Sequence, residues 1–164
     1  MTAFVTDGTI GSQVVTENSS TQKHELGKIS MMHDPATYNW GEYIYLKGVA
    51  STVVGSVVTY APDDMTTALL VANAIGPVAL SMGITVASEF GWYQIGGKGV
   101  AKALASFADN ANCYATSTAG SVDDAVVAGD LVKNMKGAAL VGTPSAGLAE
   151  VELYRPFVDD GLTA

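Results

Sequence analysis

The stretch Leu148-Ala149-Glu150-Val151-Glu152-Leu153-Tyr154 decides the fold. Ala149, Val151 and Leu153 fall on one side of an extended chain, and Glu150, Glu152 and Tyr154 on the other. That is the two-residue period of a strand with one face in a core and one in water. Pro156 has no N–H to give to a ladder, so the strand is predicted to stop there.

Working back along the chain, the same kind of segment recurs between Gly, Asp and Pro punctuation. Tyr43 to Val49 and Ser56 to Tyr60 are rich in β-branched and aromatic residues. Pro77 to Ser81, Ile84 to Ala87, Gly91 to Ile95, Gly99 to Leu104, Asn112 to Thr116 and Met135 to Val141 continue the series. Ala61-Pro62-Asp63-Asp64 is turn chemistry, since proline presets φ and aspartate caps the turn. Residues 65–75 fit two readings: a helix capped by Asp63 or Asp64 and stopped by Gly76, or a strand opened by Thr66-Thr67. The neighbouring strands favour the strand. So many short strands, with 18 glycines for tight bends, predict an all-β fold, a small barrel or sandwich.

Residues 1–40 differ from this body of residues 41–164. They are rich in Thr, Ser, Gln, Asn and Asp, and their apolar spots, Val14-Val15 and Ile29-Ser30-Met31-Met32, are short and isolated. The expectation is an extended N-terminal arm whose apolar spots dock on a partner rather than join a core.

Hydrophobic residues make up 48% of the 164 residues and charged ones only 15%, well below the quarter or so of an ordinary soluble domain. Either many polar surface positions are Ser, Thr, Asn and Gly, or partner subunits cover part of the surface; the two are compatible. The formal charge is -8, and Arg155 is the sole arginine, so the clustered cations that neutralise nucleic-acid phosphates or seat a protein on an anionic membrane are missing. No apolar run approaches the length of a membrane span, and Met1 to Asp7 lacks the basic start and apolar run of a secretory leader.

The candidate chemistry is thin. Cys113 stands alone, and His24 and His33 both lie in the N-terminal segment, so neither a cysteine metal cage nor an activated thiol is expected. Gly96-Gly97-Lys98-Gly99 lacks the Lys-Ser/Thr ending of a phosphate loop and reads as a glycine-rich turn or bulge. Asp63-Asp64, Asp123-Asp124 and Asp159-Asp160 lie at turns or the terminus, where aspartate caps. Catalytic, cofactor and metal residues are therefore expected to be none. Two aromatic patches, Tyr38, Trp40, Tyr43 and Tyr45, then Trp92 and Tyr93, suit a core or a subunit interface. A sugar-stacking platform on Trp40 and Trp92 is the alternative, as in a carbohydrate- or small-ligand-binding β-domain of a phage tail or fibre protein.

Four phrases resemble the head decoration, or capsid cement, proteins of tailed bacteriophages: Tyr45-Leu46-Lys47-Gly48-Val49-Ala50 on to Val57-Val58-Thr59-Tyr60, Gly91 to Ile95, Cys113 to Asp124, and Ala149 to Val158. The resemblance covers roughly residues 42–158. It implies a non-enzymatic virion protein, barrel-like and usually homotrimeric, made in the host cytoplasm. It would sit on the outer capsid surface, where it cements neighbouring major capsid protein subunits. For that partner the candidate contacts are Ile29, Met31, Met32, Tyr38, Trp40, Trp92 and Tyr93.

Overall fold

The computed structural model describes residues 4–5, 14–34 and 39–160. Among them are eleven strands and no helix: β1 (Phe4–Val5), β2 (Ile29–Asp34), β3 (Asn39–Lys47), β4 (Val57–Tyr60), β5 (Thr67–Leu69), β6 (Ile75–Ser81), β7 (Phe90–Lys102), β8 (Asn112–Ala115), β9 (Val122–Asp123), β10 (Leu131–Gly137) and β11 (Leu148–Asp159). All the ladders between them are antiparallel. The all-β class read from the sequence is therefore the class observed. The undecided stretch 65–75 holds the short strand β5, and Asp64 Oδ1 caps the turn before it by accepting from the Thr66 N–H at 3.0 Å.

The strands form one open sheet in the order β1-β2-β3-β7-β6-β11-β10-β8-β9, with β4 joined to β6 and β5 to β4. Its far end is tied back by single bonds, Val57 N–H to the Gly120 carbonyl and Leu104 N–H to the Val122 carbonyl, both 3.0 Å. The result is barrel-like around its main core.

Side-chain alternation stacks three cores. β3 sends Tyr43 and Tyr45 to one face, where they meet Met32, Val15 and Trp92; Ile44 and Leu46 go to the other, with Tyr93, Ile95, Val58 and Ala79. β4 and β6 are a wall shared by two cores, because Val57, Val78 and Leu80 point the opposite way from Val58 and Ala79. They meet Val151, Leu153, Phe107 and Cys113 beyond. Burial on both faces explains why β6 and the first half of β7 read as continuous apolar runs.

Two strands change partner midway. β7 pairs with β3 over Phe90–Gly96 and with β11 over Gly96–Lys102. The switch follows a one-residue register shift at Ile95, between the Gln94 and Gly96 pairings, and Gly97 just beyond it takes φ +89°. The bulge thus lies at Ile95, immediately before the glycine run in which a turn or bulge is expected. Gln94, buried beneath it, donates its amide to the Gly96 and Lys98 carbonyls at 3.1 and 2.9 Å, which satisfies acceptors on the bent strand.

β11 answers with a kink of its own. Inward positions run 149, 151, 153 and then 156, 158, so the phase slips by one residue at Tyr154-Arg155, where Arg155 has φ +49°. The slip lets β11 leave β7 and pair with β6 through Phe157, Val158 and Asp159. The predicted stop at Pro156 is thus corrected: the proline sits just after the bulge and the strand runs on to Asp159.

The expectation of a coreless arm is also corrected for the residues described. β2 pairs with β3 over its whole length, Met32 and Val15 are fully buried, and residues 14–28 cross the outer face of β3 and β7. Of the apolar spots, Val15 and Met32 belong to this chain's own core, where they pack with Tyr43, Tyr45 and Trp92, whereas Ile29 and Met31 are exposed. Residues 1–3, 6–13 and 35–38 lie outside the described residues.

Candidate functional site

The register across four strands builds one surface feature. Met31 on β2 lies opposite Glu42 on β3, Glu42 opposite Gly96 on β7, and Gly96 opposite Tyr154 on β11. With strands about 4.8 Å apart, this row is roughly 14 Å long. Gly96 contributes no side chain, so the row has a gap in the middle: a groove floored by Gly41, Gly96 and Gly97 and walled by Met31, Trp40, Glu42, Tyr154 and Arg155.

The close approach that makes the floor requires glycine. A Cβ on Gly97 would lie 2.7 Å from the Trp40 carbonyl oxygen, and one on Gly96 would lie 3.0 Å from Glu42 Cβ. Over this floor Arg155 reaches back to Glu42 as a fork, Nε to Oε2 at 2.9 Å and Nη2 to Oε1 at 2.6 Å. Bidentate guanidinium–carboxylate geometry fixes both side chains. The Arg155 hydrogen bonds hold the Glu42 carboxyl below its ordinary range, against the upward push of burial. Burial raises the half-buried Tyr60 phenol, whose charged neighbours are Arg155 and Glu42.

Met31, Trp40 and Tyr154 are 50%, 53% and 67% exposed. His33, opposite Trp40 in the register, sets its ring 5.0 Å from the indole, which holds the indole in place on the surface. They stand out because the β4–β6 wall covers Ile44 and Leu46 on this face of the sheet but not β2. Ile29 is exposed for the same reason.

Of the seven residues expected to touch a partner, Ile29, Met31 and Trp40 are on this surface. Met32, Trp92 and Tyr93 are corrections, since all three are buried. Met32 alternates inward from Met31. Trp92 and Tyr93 belong to the part of β7 that is covered on both faces, and the Tyr93 hydroxyl is 2.6 Å from Thr85 Oγ1. A sugar platform using Trp92 is removed with them. Tyr38 lies outside the described residues. Sequence reasoning missed Glu42, Tyr154 and Arg155 as site residues, although the outward phase of Tyr154 was readable.

The other candidates have structural employment. Asp124 Oδ2 accepts from the Ala108 N–H at 3.1 Å, Asp123 Oδ1 from the Asp124 N–H at 2.9 Å, and Asp159 pairs with Lys133. Lys98 of the glycine run pairs with Glu150 at 2.6 Å. Burial, helped by the charge of Asp124, pushes the Cys113 thiol up to about 12, where it is not nucleophilic. Among the described residues no three His, Cys, Asp or Glu side chains gather as metal ligands would. No protein family, no curated protein and no solved structure matches the chain.

Proposed function

We propose that this chain is a non-enzymatic structural virion protein that binds the outer surface of a tailed-phage capsid and cements neighbouring major capsid protein subunits. The observation that carries the reading is the groove surface. Trp40, Tyr154, Met31 and Arg155 are residue types enriched at protein interfaces, and Trp, Tyr and Arg also dominate their hot spots; here they are held on a rigid sheet in a chain with only 15% charged residues. The resemblance of residues 42–158 to decoration proteins points the same way. A shell presents many copies of one site, so a modest contact at each suffices for a stable coat.

The test is co-sedimentation of the full-length protein with expanded, undecorated heads of the phage that encodes it. Saturable binding is expected, weakened about thirtyfold by Trp40→Ala or Tyr154→Ala, as for a hot-spot side chain worth about 2 kcal/mol. Absence of binding by the unmodified protein overturns the function. Undiminished binding by both variants overturns the placement of the contact.

A further inference from the structure

Residues 14–28 form a loop that leads directly into β2 at Ile29. Two clusters of backbone hydrogen bonds tie the loop to the body. At the first, Ser19 and Phe90 exchange backbone hydrogen bonds of 3.0 and 2.9 Å, and Asn18 Nδ2 donates to the Ile84 carbonyl. Asn18 occupies a slot made by two glycines, for a Cβ on Gly83 or Gly91 would lie 2.7 or 2.8 Å from its Oδ1. At the second, Gly27 donates to the Tyr45 carbonyl at 2.8 Å and Tyr45 to the Lys28 carbonyl at 2.9 Å, with Gly27 at φ +79°.

Between these clusters residues 20–23 are exposed, held by one further bond from the Lys23 N–H to the Tyr45 hydroxyl at 3.2 Å, and the cover is thin. Val15, Leu26 and the His24 ring, 5.1 Å from the indole, are what the loop lays over Trp92. Beneath them Trp92 is 1% exposed, and its Nε1–H finds no acceptor among the described residues. A buried donor without an acceptor is a penalty on the closed arrangement that water would lift.

We propose that residues 14–28 are a strap that opens as a unit about Gly27 while the rest of the sheet stays folded, uncovering the Tyr45–Trp92 face. Opening breaks a handful of bonds, those of the two backbone clusters and that of Lys23 to the Tyr45 hydroxyl, and hydrates the indole N–H, whereas the main core is untouched. Such a segment belongs to the low-stability end of local unfolding.

Residue-resolved hydrogen exchange on the full-length protein tests this. The Ser19 and Gly27 amides are expected to exchange at least a hundredfold faster than those of Val57 and Ala115, with little denaturant dependence. Asn18→Ala removes one hydrogen bond, so it should speed exchange of the strap amides about fivefold and leave Val57 and Ala115 unchanged. In a Trp40→Phe background, where Trp92 is the sole tryptophan, the same variant should make the fluorescence easier to quench with acrylamide. Strap amides that exchange only at the rate and denaturant dependence of Val57 and Ala115 overturn the proposal. So does an Asn18→Ala effect spread equally over the whole chain.

Discussion

Gly97→Ala tests whether the close approach of β3 and β7 at the groove floor demands glycine. Gly97 has φ +89°, a region L-residues rarely enter, and its missing Cβ would stand 2.7 Å from the Trp40 carbonyl oxygen and 3.1 Å from Gly41 Cα. Both neighbours are backbone, so no rotamer change relieves the contact. The strained dihedral costs about 1–3 kcal/mol, and forcing β3 from β7 adds about 1–3 kcal/mol of overpacking. The stiffer unfolded chain of the alanine variant offsets about 0.4–1 kcal/mol. The net loss is about 3 kcal/mol, which for a domain of this size lowers Tm by roughly 6–12 °C. Gly142→Ala is the control, because Gly142 has φ +104° with nothing within 4 Å of its would-be Cβ. It isolates the dihedral cost and should lose only about 1 kcal/mol. Urea and thermal denaturation of the two variants measure both values. A Gly97→Ala protein within 0.5 kcal/mol of the original, or no less stable than Gly142→Ala, refutes the reasoning.

Gln94→Ala should cost about 3 kcal/mol in urea denaturation, since it leaves the Gly96 and Lys98 carbonyls without their buried donor. A loss under 1 kcal/mol would mean the bulge supports itself. For Glu42 the sign follows from a folded pKa held below the unfolded value of 4.5. Its contribution is fully present above pH 4.5 and is lost as pH falls through the lower folded value. Glu42→Gln should therefore have a flatter Tm profile than the original protein between pH 4.5 and acid, and indistinguishable slopes would rule out the fork as an acid-sensitive contact.

The strand inventory was legible wherever one face is wet. Leu148 to Tyr154 alternates without error, and Ala149, Val151 and Leu153 are all fully buried. It was less legible where punctuation carries two meanings. Pro156 was read as an end, yet at a bulge the proline needs no ladder donor, so the strand continues. Ile84 to Ala87 looks like a strand by composition, but it is a loop in which Ile84 and Val86 are exposed. Nothing local distinguishes it; the Ile84 carbonyl accepts from the Asn18 side chain, far away in sequence, and not from a neighbouring strand. The N-terminal segment misled for a related reason: Val15 and Met32 are isolated in sequence, and only the third dimension brings them to Trp92.

The site was legible by residue type but not by orientation, and the reason is register. Met31 and Met32 are chemically identical, as are Tyr93 and Tyr154 in their payload of ring and hydroxyl. Which one faces outward depends on a period of two, so a one-residue slip of β2 against β3 would bury Met31 and expose Met32. That register is set by contacts far away in sequence: Met32 inserting beside Trp92, and Glu42 lying over Gly96 where Arg155, from the last strand, can reach it. The groove thus exists only because two bulges, at Ile95 and Arg155, fall beside each other when β7 meets β11. Each bulge is a local irregularity, and their coincidence gives a concave, glycine-floored surface between exposed aromatic rings. Any single strand reading stops short of it, because the feature belongs to the row and not to any strand within it.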